Sequence, residues 1–97
     1  MPKYQLNLDV PGVSADTIYE KVQIEIDQFF SKMGVGEFKF EYRPNDLEID
    51  LDNKNFSGTL KCMNGKLSVE GKIGLLAVPF KSKIDEAVSK WISRTFA

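Results

Sequence analysis

The sequence predicts an α+β fold in a single domain, residues 1–97, ordered β-α-β-β-β-β-α. An antiparallel five-stranded sheet carries two helices packed on one face. Three observations lead there. Five short runs alternate apolar and polar residues, the period of a half-buried strand. Two longer runs repeat apolar residues every three or four positions, the period of an amphipathic helix. Asn64-Gly65 joins two of the alternating runs, the signature of a two-residue type I′ hairpin.

The first alternating run spans residues 3–10, with Tyr4, Leu6, Leu8 and Val10 on one face; Pro11-Gly12 ends it. A helix is expected over about Ala15–Met33. Ser14 is placed to cap it, Asp16 suits the positive end of its dipole, and Val13 and Ile18 have staple spacing. Ile18, Val22, Ile26, Phe29, Phe30 and Met33 form its stripe, which leaves Ile24 outside, and Gly34 is placed to stop it. Four strands follow, over 37–43, 47–51, 55–63 and 66–73. Their apolar faces are Phe38, Phe40, Tyr42; Leu47, Ile49, Leu51; Phe56, Leu60, Cys62; and Leu67, Val69, Ile73.

The tight turn sets the register of the last two strands. Cys62 should oppose Leu67, Leu60 Val69, Gly58 Gly71, and Phe56 Ile73. The last helix should run to Phe96, with Ile84, Ala87, Val88, Trp91, Ile92 and Phe96 inward. Pro79 and Ser82 are rival starting points. Two apolar stripes and one apolar sheet face can cover each other. The first strand is expected beside the fifth.

Composition narrows the chemistry. The 97 residues carry 13 basic and 14 acidic side chains, a net charge of −1, which gives no pull toward nucleic acid. Histidine is absent, so Ser-His-Asp and Cys-His catalysis and the usual zinc sites are excluded. The single cysteine, Cys62, can form no internal disulfide and suits a reducing compartment. The start of the chain carries no signal pattern, and no run has the ~18 apolar residues of a membrane span. A cytoplasmic location is the expectation.

Asp46, Glu48, Asp50 and Asp52 share the outer face of the third strand. Asp50 is expected opposite Lys39, with Lys61 and Arg43 near Asp46, so a solvated charged face is the reading rather than a cation site. The stretch from Asp50 to Asn55 has a calcium-loop flavour, but Lys54 stands at a ligand position and the glycine is missing. Gly34-Val35-Gly36 precedes a strand, not a helix, and is no phosphate loop. Cys62 faces inward and reads as a small hydrophobe. No metal or cofactor is expected, and the protein is expected not to be an enzyme.

Two features stand apart. Gly58 and Gly71 face each other and leave a shallow spot. It is either a bend or close approach, or the floor of a pocket. Leu75, Leu76, Val78 and Phe80 cannot all point inward. They either plug the open end of the sheet or form an exposed patch or the mouth of a ligand cavity, with Trp91 nearby.

Over nearly its whole length, with the signal concentrated from Phe56 onward, the chain resembles the small polyhydroxyalkanoic acid system proteins encoded near polyhydroxyalkanoate granule genes in bacteria. The residues that carry the resemblance are Ser57-Gly58-Thr59-Leu60, the run from Lys72 to Lys81, and Ile84-Asp85. Ile73 replaces the family's leading leucine, and one extra residue separates the leucines from Pro79. The resemblance implies a role in granule biology rather than a reaction, with a granule surface or granule protein as partner. The element order is also similar to a shortened START-like helix-grip fold. That implies an acyl or other apolar small molecule held between sheet and last helix. Open sheet edges leave pairing into a homodimer available.

Overall fold

The computed structural model describes residues 2–34 and 36–97; Val35 of the Gly34–Gly36 loop and Met1 lie outside them. The elements are β1 (Lys3–Asp9), α1 (Ala15–Met33), β2 (Lys39–Arg43), β3 (Glu48–Asp52), β4 (Phe56–Met63), β5 (Lys66–Ile73), a 3-10 turn (Leu75–Phe80) and α2 (Lys81–Thr95). The sheet is antiparallel in the order β1-β5-β4-β3-β2. The first strand does lie beside the fifth.

The β4–β5 register is the one the Asn64-Gly65 turn dictates, with Cys62 opposite Leu67 and Phe56 opposite Ile73. The turn itself is not the expected type I′. Gly65 adopts φ 74°, but Asn64 lacks the positive φ that a type I′ turn needs at both central residues, so the two-residue loop keeps the register with a different backbone. The turn also docks onto the β1–α1 connection. Asn64 Oδ1 accepts the Ala15 N–H at 2.9 Å, Gly65 N–H donates to Val13 C=O at 2.8 Å, and Val10 N–H donates to Gly65 C=O at 2.8 Å. The N-terminus of α1 thus has two caps, since Ser14 Oγ accepts from Thr17 N–H at 3.3 Å. At its other end Gly34 takes the left-handed conformation, φ 70°.

One core lies between the inner sheet face and the helices. Ile18, Val22 and Ile26 from α1 meet Ile49, Leu51, Leu60, Leu67 and Ile73 from the sheet, and Val88, Trp91 and Ile92 from α2. Each such burial stabilises the fold by roughly 1.5–3 kcal/mol. Tyr19 is also buried, beside the stripe that periodicity defines. Ile24 is exposed, as its place off the stripe requires.

Three local expectations are corrected. Asp50 opposes Glu41, not Lys39; Lys39 opposes Asp52, and Lys61 opposes Glu48. The β2–β3 connection shifts the pairing, because Leu47 sits at φ 56° outside the strand and donates its N–H to Pro44 C=O. Arg43 does lie near Asp46, its backbone C=O accepting the Asp46 N–H at 3.1 Å, but its guanidinium pairs with Glu48 at 2.7 Å and Asp50 at 2.9 Å. Phe38 precedes β2. Neither Pro79 nor Ser82 starts the last helix: Pro79 lies within the 3-10 turn and α2 begins at Lys81. Proline has no N–H to donate, which keeps the turn and α2 from merging into one α-helix.

Candidate functional site

The 3-10 turn leaves β5 with its backbone anchored, Gly74 N–H donating to Asn55 C=O at 2.7 Å. In this tight helix residues three apart lie over one another. Ala77 and Phe80 therefore share a side, and with Leu76 they border a cavity of about 920 Å³. The opposite rim is the C-terminal end of α1 and the β3–β4 connection; the floor is the inner sheet face; the roof is the first half of α2.

The turn is not a plug. Leu75 is 75% exposed, Leu76 88%, Phe80 53% and Val78 37%. Leu76 and Phe80 belong to the cavity rim, whereas Leu75 and Val78 do not face it. Trp91 is buried and forms part of the wall. Gly58 and Gly71 do oppose one another, but neither is among the residues that line the cavity. A Cβ on Gly71 would collide with the Ser57 carbonyl oxygen and lie 2.6 Å from Gly58 Cα. One on Gly58 would lie 3.0 Å from the Phe56 ring. The pair permits a close approach of two strands, and the Phe56 ring covers the gap.

The wall is largely aromatic. Ring contacts run from Tyr4 to Phe56 (5.3 Å), Phe56 to Phe38 (6.4 Å), Phe38 to Phe30 (4.7 Å), Phe30 to Phe29 (5.1 Å) and Phe29 to Trp91 (4.3 Å, stacked). Helix α2 is fastened at two points. Tyr4 Oη donates to Asp85 Oδ1 at 2.5 Å, and Trp91 Nε1 donates to Glu25 Oε1 at 2.7 Å. Thr95 Oγ1 donates to the same Glu25 oxygen at 2.8 Å. Burial, and then the Asp85 carboxylate, push the Tyr4 phenol far above its usual range. Burial pushes the Cys62 thiol up to about 12, so it carries no thiolate at neutral pH.

Sequence patterning located Leu76, Phe80 and Trp91, which the fold brings to one cavity. It missed Tyr4, Phe30 and Phe38 as cavity residues, because an aromatic that borders a cavity has the same periodicity as one packed on all sides. It also missed Lys54 and Lys83 at the opening, because nothing in the sequence shows that lysines from two separate segments meet. On the acidic outer face of β3, Glu48 and Asp50 pair with Arg43, and Asp50 also accepts a hydrogen bond from Thr59 Oγ1 at 2.7 Å.

Fold and site together define a small α+β domain with an open apolar cavity between its sheet and its C-terminal helix. Its sequence pattern over residues 13–96 matches the family described as "Putative polyhydroxyalkanoic acid system protein", and the chain belongs to that family. The fold is similar to the crystal structure of a DUF4468 family protein from Bacteroides ovatus, with TM-score 0.56 at 11% identity. The match covers 97% of this chain and 81% of that one. At that identity the likeness concerns the fold alone. Among curated proteins none matches. No helix among the described residues is long and apolar enough to cross a membrane.

Proposed function

We propose that this chain is a non-enzymatic, cytoplasmic accessory protein of the polyhydroxyalkanoate storage system. It meets the granule surface, or a protein on it, through Leu75, Leu76, Val78 and Phe80. The observation that carries the reading is the exposure of these four consecutive-turn residues on a backbone held by hydrogen bonds. A clustered exposed apolar surface favours a partner over water. Family membership supplies the granule context. The buried, protonated Cys62 and the sequence's lack of histidine favour a binding role over a catalytic one. Co-sedimentation with purified granules tests the contact. Wild type should pellet with granules, and a Leu76→Asp, Phe80→Asp double variant should remain in the supernatant. Equal recovery of the two would sink the reading.

A second reading rests on the cavity. Its volume of about 920 Å³ falls in the range of small-molecule sites, roughly 300–1,000 Å³, and its lining is mainly apolar. This reading makes the protein a binder of one acyl chain, with Trp91 as the internal reporter. A titration of Trp91 fluorescence with saturated acyl chains should show saturable change; no response at millimolar ligand would remove it. Pairing of two copies through an open edge, β1 or β2, is compatible with both readings. Sedimentation equilibrium would show it as a doubled mass, and a monomer mass throughout would exclude it.

A further inference from the structure

We infer that the cavity takes a single-chain amphiphile with an anionic head, a long-chain carboxylate, and that Lys54 and Lys83 recognise the head. The inference rests on the acyl-chain reading of the cavity and adds the charge of the ligand. Among the described residues that line the cavity, Lys54 and Lys83 are the charged ones, and no carboxylate is among them. The imbalance is local, since the whole chain has 14 acidic against 13 basic residues. The neighbouring carboxylate of α2, Asp85, is taken up by Tyr4 and by Lys81 at 3.5 Å.

The two lysines come from different elements. Lys54 stands in the β3–β4 connection and Lys83 in the first turn of α2, and both are solvent-exposed. They mark the wet edge, while Phe30, Phe56, Leu60, Val69 and Trp91 mark the dry interior. Lys83 Nζ lies 6.0 Å from the centre of the Phe80 ring, so a cation sits directly above the apolar rim. The first turn of a helix adds its positive dipole end to the same edge. A chain inside and a carboxylate at this edge would satisfy both halves of the site. A neutral or cationic head would leave the lysines without a counter-charge.

The test is a titration of wild type and a Lys54→Gln, Lys83→Gln variant, followed by Trp91 fluorescence and native mass spectrometry. The ligands are decanoate, dodecanoate, dodecanol and dodecyltrimethylammonium at low salt. Both substituted positions are exposed, and circular dichroism checks that the fold is intact. Dodecanoate should bind one per chain, roughly threefold to fourfold more tightly per methylene than decanoate. The double variant should lose about threefold to tenfold in dodecanoate affinity, as expected of exposed charge pairs, with dodecanol unchanged. Added salt should reproduce that loss. If the variant binds dodecanoate like wild type, or the cationic amphiphile binds best, the head-group inference is overturned while the cavity reading stands. If no ligand binds either protein, both fall.

Discussion

Glu25 joins the two helices through one carboxylate oxygen, which accepts from Trp91 Nε1 and Thr95 Oγ1. Nothing in the sequence singles it out, since the stripe of α1 is apolar and Glu25 lies beside it. Its role arises from the stacking of Trp91 on Phe29, which turns the indole N–H toward α1. Hydrogen bonds to charged groups are worth more than neutral ones, and a donor left unpaired in a half-buried place adds its own cost. Glu25→Ala should therefore destabilise the fold by about 1–2 kcal/mol. It should also alter the near-ultraviolet circular dichroism of Trp91; urea midpoints compare the two proteins. Cys62 is the opposite case, a residue whose fate alternation alone predicted. Burial keeps the thiol protonated, so a thiol reagent at pH 8 should label the native protein slowly and the urea-unfolded protein fast. Rapid native labelling would show that β4 opens far more readily than its packing implies.

At the level of elements, the β4–β5 hairpin was the most legible part of the chain and the 3-10 turn the least. A two-residue loop between paired strands admits one register, so Asn64-Gly65 fixed every cross-strand pair from Met63–Lys66 to Phe56–Ile73. The β2–β3 connection offered no such constraint. Its turn ends with Leu47 at a positive φ, which no leucine announces, and the pairing shifted with it. The segment from Leu75 to Phe80 has neither helical nor strand period, because a single 3-10 turn is too short to display one. Its apolar content was plain; its exposure was not, since exposure depends on how α2 leaves the turn. The glycine pair was legible as a pair and ambiguous in purpose. Gly71→Ala decides its purpose, because the added methyl would meet backbone of β4, which cannot step aside. A loss of roughly 2–4 kcal/mol is expected, at the upper end for a single methyl. A near-neutral result in urea denaturation would mean that the strands have room, and would return the pair to the cavity floor. Asn64→Ala should cost about 1 kcal/mol by removing one cap of α1, a contact from 49 residues away.

At the scale of the whole molecule the order of elements, the sheet topology and the single helical layer were all legible. Each follows from covering one apolar face with two apolar stripes. The cavity was not, because it is the space left where α1 ends, the 3-10 turn diverges and α2 begins. The same compact layer sets how the protein responds to base. Three groups on three elements, Tyr4, Tyr19 and Cys62, are buried and have their ionisation pushed upward, with burial as the leading cause in each. For each, the folded chain holds its proton more tightly than the unfolded chain. The resulting stability is fully present below the unfolded value and is lost as pH rises through the folded one. For Cys62 that window opens at 9.0 and closes at about 12, and the phenols follow from 10.0 upward. Stability should therefore be insensitive to these groups between pH 6 and 8 and fall from about pH 9, through binding of more protons by the folded chain. Urea midpoints at pH 8, 9, 10 and 10.5 would trace the fall. A Tyr4→Phe variant loses the hydrogen bond to Asp85 and should be less stable at pH 8, yet its alkaline decline should be shallower than wild type's. Parallel curves for the two proteins would show that Tyr4 ionises freely in the fold, and that α2 is not held against β1 by its phenol.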